Sequence, residues 1–333
     1  MKNLRERDDG VPMSAHPALS EAPPRGEPSA VPRPDGPSPV RPRRLLSHRR
    51  REAYAGLLFV LPMALLFIIF RFGPSLAGLL LGFFDYYPGD TPEFVGVENF
   101  KRLAEDPNFW TALKVTLIFG FLSVPTGLAI STVMALLVRR GSRTVNFFRS
   151  VYFLPVITSL VVAAAVFGWF FSTGGPVSSV QSALGLGDAS WLRSETLVIL
   201  ALVVVNVWTR YGYGMLILLA RLQDQPRELE DAMRTDGASS MQRFRHLTLP
   251  HLRPALFFLA VIETTASFQI FDLVYLMTGG GPARASHTLV LDLYERGFRN
   301  LEFGMASAIG GVLFVLTLVV AGIQHFMLGR DRT

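Results

Sequence analysis

Three polar side chains interrupt an apolar run with a single helical spacing: Asn206, Arg210 and Tyr213, at i, i+4 and i+7. That spacing places them on one face of a helix. Arg210 lies near the middle of the run, where a charge costs ~2.5–3.5 kcal/mol even on a lenient insertion scale. It therefore needs a partner or a water-filled cavity. The next apolar run carries Glu263 and Ser267 on one face, and Thr265, Gln269 and Asp272 on nearly the opposite one. One of the two carboxylates can neutralise Arg210, and the other groups can hydrogen-bond a polyhydroxy ligand. The competing reading is structural, with these groups fixing helix packing through interhelical hydrogen bonds. Trp208 and Tyr211 read more simply as packing or interface aromatics than as stacking platforms for a ligand.

Covalent chemistry has little to work with. The chain has no cysteine, which removes disulfides, thiol catalysis and Cys-based metal sites. It has no G-x-x-x-x-G-K-[ST] phosphate loop and no H-E-x-x-H pair. His246 and His251 fall in a polar connection, where an exposed or capping role outweighs metal binding. Glu263 and Asp272 point to opposed faces and form no catalytic pair. Gly279-Gly280-Gly281-Pro282 lacks the following helix of a phosphate cradle and reads as a tight turn. The expectation is a non-enzyme with no cofactor or metal of its own.

The elements that must position these residues are long and apolar. Of 333 residues 50% are hydrophobic and 17% charged, with mean hydropathy +0.35, too apolar for an ordinary soluble domain. Six apolar segments, about 54–81, 112–138, 151–171, 196–219, 255–277 and 306–328, each have the length of a bilayer-crossing helix. Residues 1–51 are rich in Pro, Arg, Ser and Gly and cannot bury enough surface to order themselves, so the chain reads as a disordered tail, 1–51, and a membrane domain, 52–333. No apolar core or cleavage site suggests a signal peptide there.

Charge sets the orientation. The basic balance (net +6) is not a nucleic-acid stripe: it sits in the tail and at the ends of apolar runs. Arg41, Arg43, Arg44, Arg49, Arg50 and Arg51 precede the first segment, and Arg139, Arg140, Arg143 and Arg149 follow the second. Arg221, Arg227, Arg234, Arg243, Arg245 and Arg253 cluster around the fourth connection. Alternate connections are richer in acid, with Asp85, Asp90, Glu93, Glu98, Glu105 and Asp106. The positive-inside rule then puts both termini and residues 225–254 in the cytoplasm.

That fourth connection has an internal design. Pro226 suits a helix start, and Glu228, Glu230 and Asp231 favour the positive end of its dipole. Leu229, Ala232, Met233 and Met241 supply an apolar side, while Gly237 allows the φ > 0 geometry of a helix end. Leu249-Pro250 and Pro254 lead into the next apolar segment.

The stretch QPRELEDAMRTDGASSMQRFRHLTLPHLRP, 225–254, resembles the "EAA" cytoplasmic loop of permease subunits from binding-protein-dependent ABC importers. Pro226, Glu228, Leu229, Ala232, Asp236, Gly237, Ala238, Ser239, Leu249 and Pro250 fit its pattern, whereas the central Glu-Ala-Ala is Asp231-Ala232-Met233. Phe94-Val-Gly-Val-Glu-Asn-Phe100 with Asp106-Pro-x-Phe-Trp110 is similar to the carbohydrate-uptake branch, as are Phe148–Pro155, Ser267–Asp272, Thr278–Pro282 and Gly304–Ala308.

The resemblance implies an all-α integral membrane protein with six transmembrane helices and a cytoplasmic coupling helix, the type I importer permease fold. It implies a multi-pass subunit of a bacterial cytoplasmic membrane, moving a sugar or sugar-derived solute by alternating access. A second permease (as a heterodimer), two ATPase subunits that bind the ATP, and an extracytoplasmic binding protein are its implied partners. Glu228, Asp231, Ala232, Asp236, Gly237 and Pro250 would couple to the ATPase. Asp231 would face the ATPase groove, one methylene shorter than the usual Glu. Tyr213, Glu263 and Ser267 match the positions that hold sugar in relatives, and Asn206, Arg210, Gln269 and Asp272 extend the same pathway. The nearest rival is the same machine for a glycerol phosphate, polyamine or peptide; an intramembrane enzyme lacks its catalytic pair.

Overall fold

Helices too apolar to end in water dominate the chain. The computed structural model describes residues 45–139, 143–185, 187 and 190–328. Most of the tail expected over 1–51, Arg140 and the C-terminal residues 329–333 lie outside the described residues. The chain divides into two compact units, 1–62 and 63–333. The first is described only from Leu45, where α1 (Leu45–Phe67) begins.

In the second unit a π-turn, Ile68–Phe72, leads into α2 (Gly73–Leu81), which has Pro74 in its first turn. A short antiparallel ribbon, β1 (Phe84–Asp85) with β2 (Glu93–Phe94), pairs Phe84 with Phe94 and Asp85 with Glu93. After α3 (Glu98–Glu105), Asp106 caps α4 (Pro107–Leu137) by accepting a hydrogen bond from the Asn108 amide at 2.8 Å. Pro107 at the first helical position costs nothing there, because its missing N–H would have been unpaired. Buried Asn99 on α3 donates to the carbonyls of Gly82 and Phe84 at 3.0 and 2.9 Å, tying the end of α2 to the ribbon.

The remaining helices are α5 (Arg143–Ile157), α6 (Leu160–Phe170), α7 (Pro176–Ala183), α8 (Leu197–Gln223), α9 (Arg227–Thr235) and α10 (Ser240–Arg243). They are followed by α11 (Leu249–Phe268), α12 (Asp272–Met277), α13 (Leu289–Tyr294) and α14 (Phe303–Leu328).

Among the described residues four helices are long and apolar enough to cross a bilayer: Glu52–Leu81, Pro107–Leu137, Leu197–Gln223 and Phe303–Met327. The expected segment 151–171 is a pair, α5 and α6, bent by 94°, and counts as a fifth span if the pair crosses as one. Its break falls at Thr158–Ser159. The expected segment 255–277 is not one helix either. It stops at Phe268 and restarts at Asp272. Thr265 Oγ1 bonds back to the Val261 carbonyl at 2.9 Å, an interaction that bends helices, just before this break.

Small residues bring α4 and α8 into close contact. A Cβ at Gly214 would stand 2.6 Å from Ser131 Oγ, and that hydroxyl donates to the Tyr211 carbonyl at 3.0 Å. One core cluster packs Phe119, Ala201, Leu202 and Val205 against Ile270, Leu273 and Val274. A second joins Leu103, Phe109 and Ala112 to Leu289, Ala308 and Ile309. A third, around Met215, Leu218, Leu222, Leu252 and Leu259, holds α8 to α11 beside the 225–254 connection.

Candidate functional site

Arg210 has its partner. Its Nε donates to Glu263 Oε2 at 2.6 Å and its Nη2 to Oε1 at 3.2 Å, the two-pronged geometry that planar guanidinium and carboxylate favour. The pair bridges α8 and α11 and lines a narrow crevice with Asn206, Ser123 and Ser131. Helical spacing left two candidate acids for Arg210; the pair forms with Glu263, inside α11, and not with Asp272, beyond its end.

The other polar residues expected on this pathway do not join the crevice. Tyr213 is 41% exposed and lies outside it. Ser267 is 1% exposed, and its hydroxyl has no hydrogen-bond partner. Gln269 caps the end of α11, its amide still bonded to the Thr265 carbonyl at 3.2 Å, whereas Asp272 opens α12, so the helical spacing that grouped them with Thr265 does not reach Asp272 across the break. Gln269 instead lines a separate cleft between α2 and α14, and Asp272 is exposed. Trp208 packs edge-on against Phe167 at 5.0 Å, the packing role expected for it.

The 225–254 connection has the internal order its residues suggested. Pro226 is the N-cap of α9, with Glu228 and Glu230 in the first turn. The helix ends in a Schellman motif: Ala238 N–H bonds the Met233 carbonyl at 2.9 Å and Gly237 N–H the Arg234 carbonyl at 3.1 Å. Gly237 makes this possible at φ +78°, a backbone conformation other residues adopt only with strain. Ser239 and Gln242 then form a reciprocal capping box that starts α10. The chain is already helical from Ser240, passes a π-turn at Phe244–Thr248, and Leu249-Pro250 continues rather than restarts it.

Two ties fix this connection to the helices around it. Arg139, just past α4, pairs with Glu230 at 2.9 Å. Arg221 Nε donates to the His251 carbonyl at 3.2 Å, while His251 Nε2 meets the Arg221 carbonyl at 2.8 Å, a reciprocal clamp across the base of the connection. His246 meets the Gln242 carbonyl at 3.0 Å, so both histidines are used locally. Between these ties α9 is open. Glu228, Asp231, Ala232, Asp236, Gly237 and Pro250 are all exposed, and so are the apolar Leu229 (52%) and Met241 (71%). Asp231 makes only a long contact to Arg234, 3.6 Å.

A buried charge cluster at the α12–α14 connection went unrecognised at the sequence level. Asp292, on α13, accepts from Arg284 at 3.1 Å and Arg296 at 3.2 Å, and lies 3.4 Å from His287 Nε2. Arg296 also pairs with Asp106, the cap of α4. Burial alone would raise the Asp292 carboxyl, but the hydrogen bond from His287 and the charges of Arg296, His287 and Arg284 outweigh it and hold the group below its ordinary range. Burial likewise works against charge on Arg296, and the Asp292 and Asp106 carboxylates reverse that effect. The Asp292–Arg296 spacing of four residues was the available signal; the reach to Asp106 was not legible. Among the described residues no group of three or more His, Cys, Asp or Glu side chains is arranged to hold a metal ion.

Residues 107–330 match the family described as "Binding-protein-dependent transport system inner membrane component". The chain is 33% identical to the lactose transport system permease protein LacF of Rhizobium radiobacter, over 83% of this chain and 94% of that one. It is 32% identical to the sn-glycerol-3-phosphate transport system permease protein UgpA of Pectobacterium atrosepticum, over 84% and 96%. A chain in a solved bacterial ABC transporter, involved in the import of the acidic polysaccharide alginate, has the same fold, with TM-score 0.75 at 23% identity over 86% and 99% of the two chains. With its apolar spans, its α8–α11 connection and these relatives, the chain belongs to the family of binding-protein-dependent transport system inner membrane components.

Proposed function

We propose that this chain is the permease subunit of an ATP-driven ABC importer that moves a sugar or sugar-derived solute into a bacterial cell by alternating access. The observation that carries the reading is the α9 connection. It is a short helix with an exposed acidic and apolar surface, held at its base by the Arg221–His251 clamp and at its side by Arg139–Glu230. A helix built this way transmits force rather than absorbing it. A push on α9 passes to α8 and α11 together, because the Arg210–Glu263 pair joins those helices higher up. Closure of two ATPase subunits would then turn α8 and α11 as a unit, opening or closing the space beside them.

Residues 225–254 and both termini would face the cytoplasm, with six crossings if the bent pair and the broken α11–α12 segment each complete one. A second, different permease and an extracytoplasmic binding protein would complete the complex. Glu228, Asp231, Ala232, Asp236, Gly237 and Pro250 would make the ATPase contact. Asn206, Arg210 and Glu263 would line the pathway, with Tyr213, Ser267 and Asp272 reached as the helices move. The relative named for lactose supports a sugar-type solute.

Uptake of a panel of radiolabelled sugars by cells lacking and re-expressing the gene tests the reading. Loss and recovery of uptake for one sugar class supports it. Unchanged uptake of every sugar, with loss of polyamine or peptide uptake, sinks the solute assignment.

A further inference from the structure

A cleft between α2 and α14, about 770 Å³, carries a few polar groups on a mostly apolar lining and lies apart from the Arg210 crevice. Arg71 is its cation. No other charged residue occurs between Glu52 and Asp85, and among the described residues no carboxylate pairs with Arg71. Ser75, four residues on and so on the same helical face, lines the cleft with Gln269 and Ser307. None of these three side chains has a hydrogen-bond partner among the described residues. The remaining wall is apolar, with Phe72, Leu76 and Phe314.

Each half of this lining rejects a simple occupant. A free sugar would leave the guanidinium without a counter-charge and would face rings and aliphatic carbon. A small free anion would leave the apolar wall in water. A molecule that carries an oxyanion and a hydrocarbon chain satisfies both. Depth agrees. The span Glu52–Leu81 has 30 residues, about 45 Å of helix against a hydrocarbon core of about 30 Å. If the span is centred, Arg71, about 15 Å from its Leu81 end, lies roughly 8 Å below the headgroup boundary. From there a long basic side chain snorkels to phosphate level.

We infer that the cleft is a phospholipid site in the leaflet met by the Leu81 end. Arg71 pairs with the headgroup phosphate, Gln269 and the two serines bond the remaining phosphate or glycerol oxygens, and an acyl chain lies along Phe72, Leu76 and Phe314. The site couples bilayer composition to the α2–α14 contact, separately from the crevice at Arg210.

The test is native mass spectrometry of the full chain, purified in mild detergent with dioleoyl-phosphatidylglycerol added. Wild type retains one lipid per chain, Arg71→Gln loses that retention about tenfold, and Arg193→Gln, an exposed arginine outside the cleft, changes nothing. Ser307→Leu fills the cleft without touching its charge and also lowers retention, so the proposal stays testable should Arg71→Gln fail to fold. Equal lipid retention by wild type, Arg71→Gln and Ser307→Leu overturns it. So does displacement of the lipid by glucuronate or glycerol 3-phosphate, which would assign the cleft to a free anion. Loss of the second permease from the complex on Arg71→Gln, with lipid retention unchanged, would give the cation to a protein partner instead.

Discussion

Replacing Arg210 by alanine should harm the fold before it harms transport. Glu263 is 12% exposed and Arg210 34% exposed, so the pair is only partly open to water. Removing one partner from a buried pair costs ~3–5 kcal/mol, because the other charge is left unpaired. The exposure of Arg210 places this site at the lower end, about 3 kcal/mol. At ~2–4 °C per kcal/mol, the scale for domains of about 150–250 residues, that is a melting shift of about 6–12 °C. Glu263→Gln on the same background removes the stranded charge, and the double variant should recover about 2 kcal/mol, a coupling within the range of contacting residues. Asp272→Asn should recover nothing, since Asp272 sits on α12 beyond the break after Phe268. Thermal unfolding of wild type and the three purified variants by a tryptophan-fluorescence scan reads the comparison. If Arg210→Ala melts with wild type, or if Asp272→Asn rescues it and Glu263→Gln does not, the ion pair does not hold α8 to α11. If the single variant is stable but inactive in uptake, Arg210 contacts solute, and that solute is anionic.

Three further outcomes follow from the same geometry. Asp292 is ionised more readily in the fold than in the open chain, where its ordinary value is 3.8, so its contribution is complete above about pH 4 and is lost as pH falls through the depressed folded value. Asp292→Asn should therefore melt below wild type at pH 7, with the gap closing under acid; a gap that widens under acid would reverse the assignment. If the proposed movement of α8 and α11 brings Tyr213 and Ser267 to the solute, Tyr213→Ala and Ser267→Ala should lower uptake a few-fold to about tenfold, at ~0.5–1.5 kcal/mol per hydrogen bond to solute, with assembly intact; normal uptake would remove both from the pathway. A reporter that folds only in the cytoplasm should be active when fused within 225–250 or after 333, and inactive within 85–105 or 280–300. The opposite pattern would invert the topology.

Spacing in the sequence exposed what is local. The ends of α9 follow from Pro226, Gly237 and Ser239, residues whose backbone preferences act within one turn. The Arg210–Glu263 pair was foreseeable because a charge in an apolar helix must be met. What escaped was set by long-range packing. The break between Phe268 and Asp272 leaves no proline or glycine to announce it, and it moved Asp272 off the face that helical spacing assigned it. Ser267 was placed on a polar face but is packed inside the bundle. The bond from the Leu289 amide to Thr116 Oγ1 and the link from Arg296 to Asp106 join residues more than 170 positions apart, beyond any local pattern.

The central claim is that α9 couples this subunit to an ATPase, and Asp231 tests it most directly. Asp231 is exposed and makes one long ion pair, so Asp231→Lys should change the melting point of the chain little. The same substitution reverses charge where the partner would dock. Co-purification of the ATPase subunit, measured beside solute uptake in the assembled complex, should show both sharply reduced for Asp231→Lys, as for Gly237→Pro, which cannot adopt φ +78° at the helix end. Full ATPase recovery and normal uptake by both variants would contradict the account.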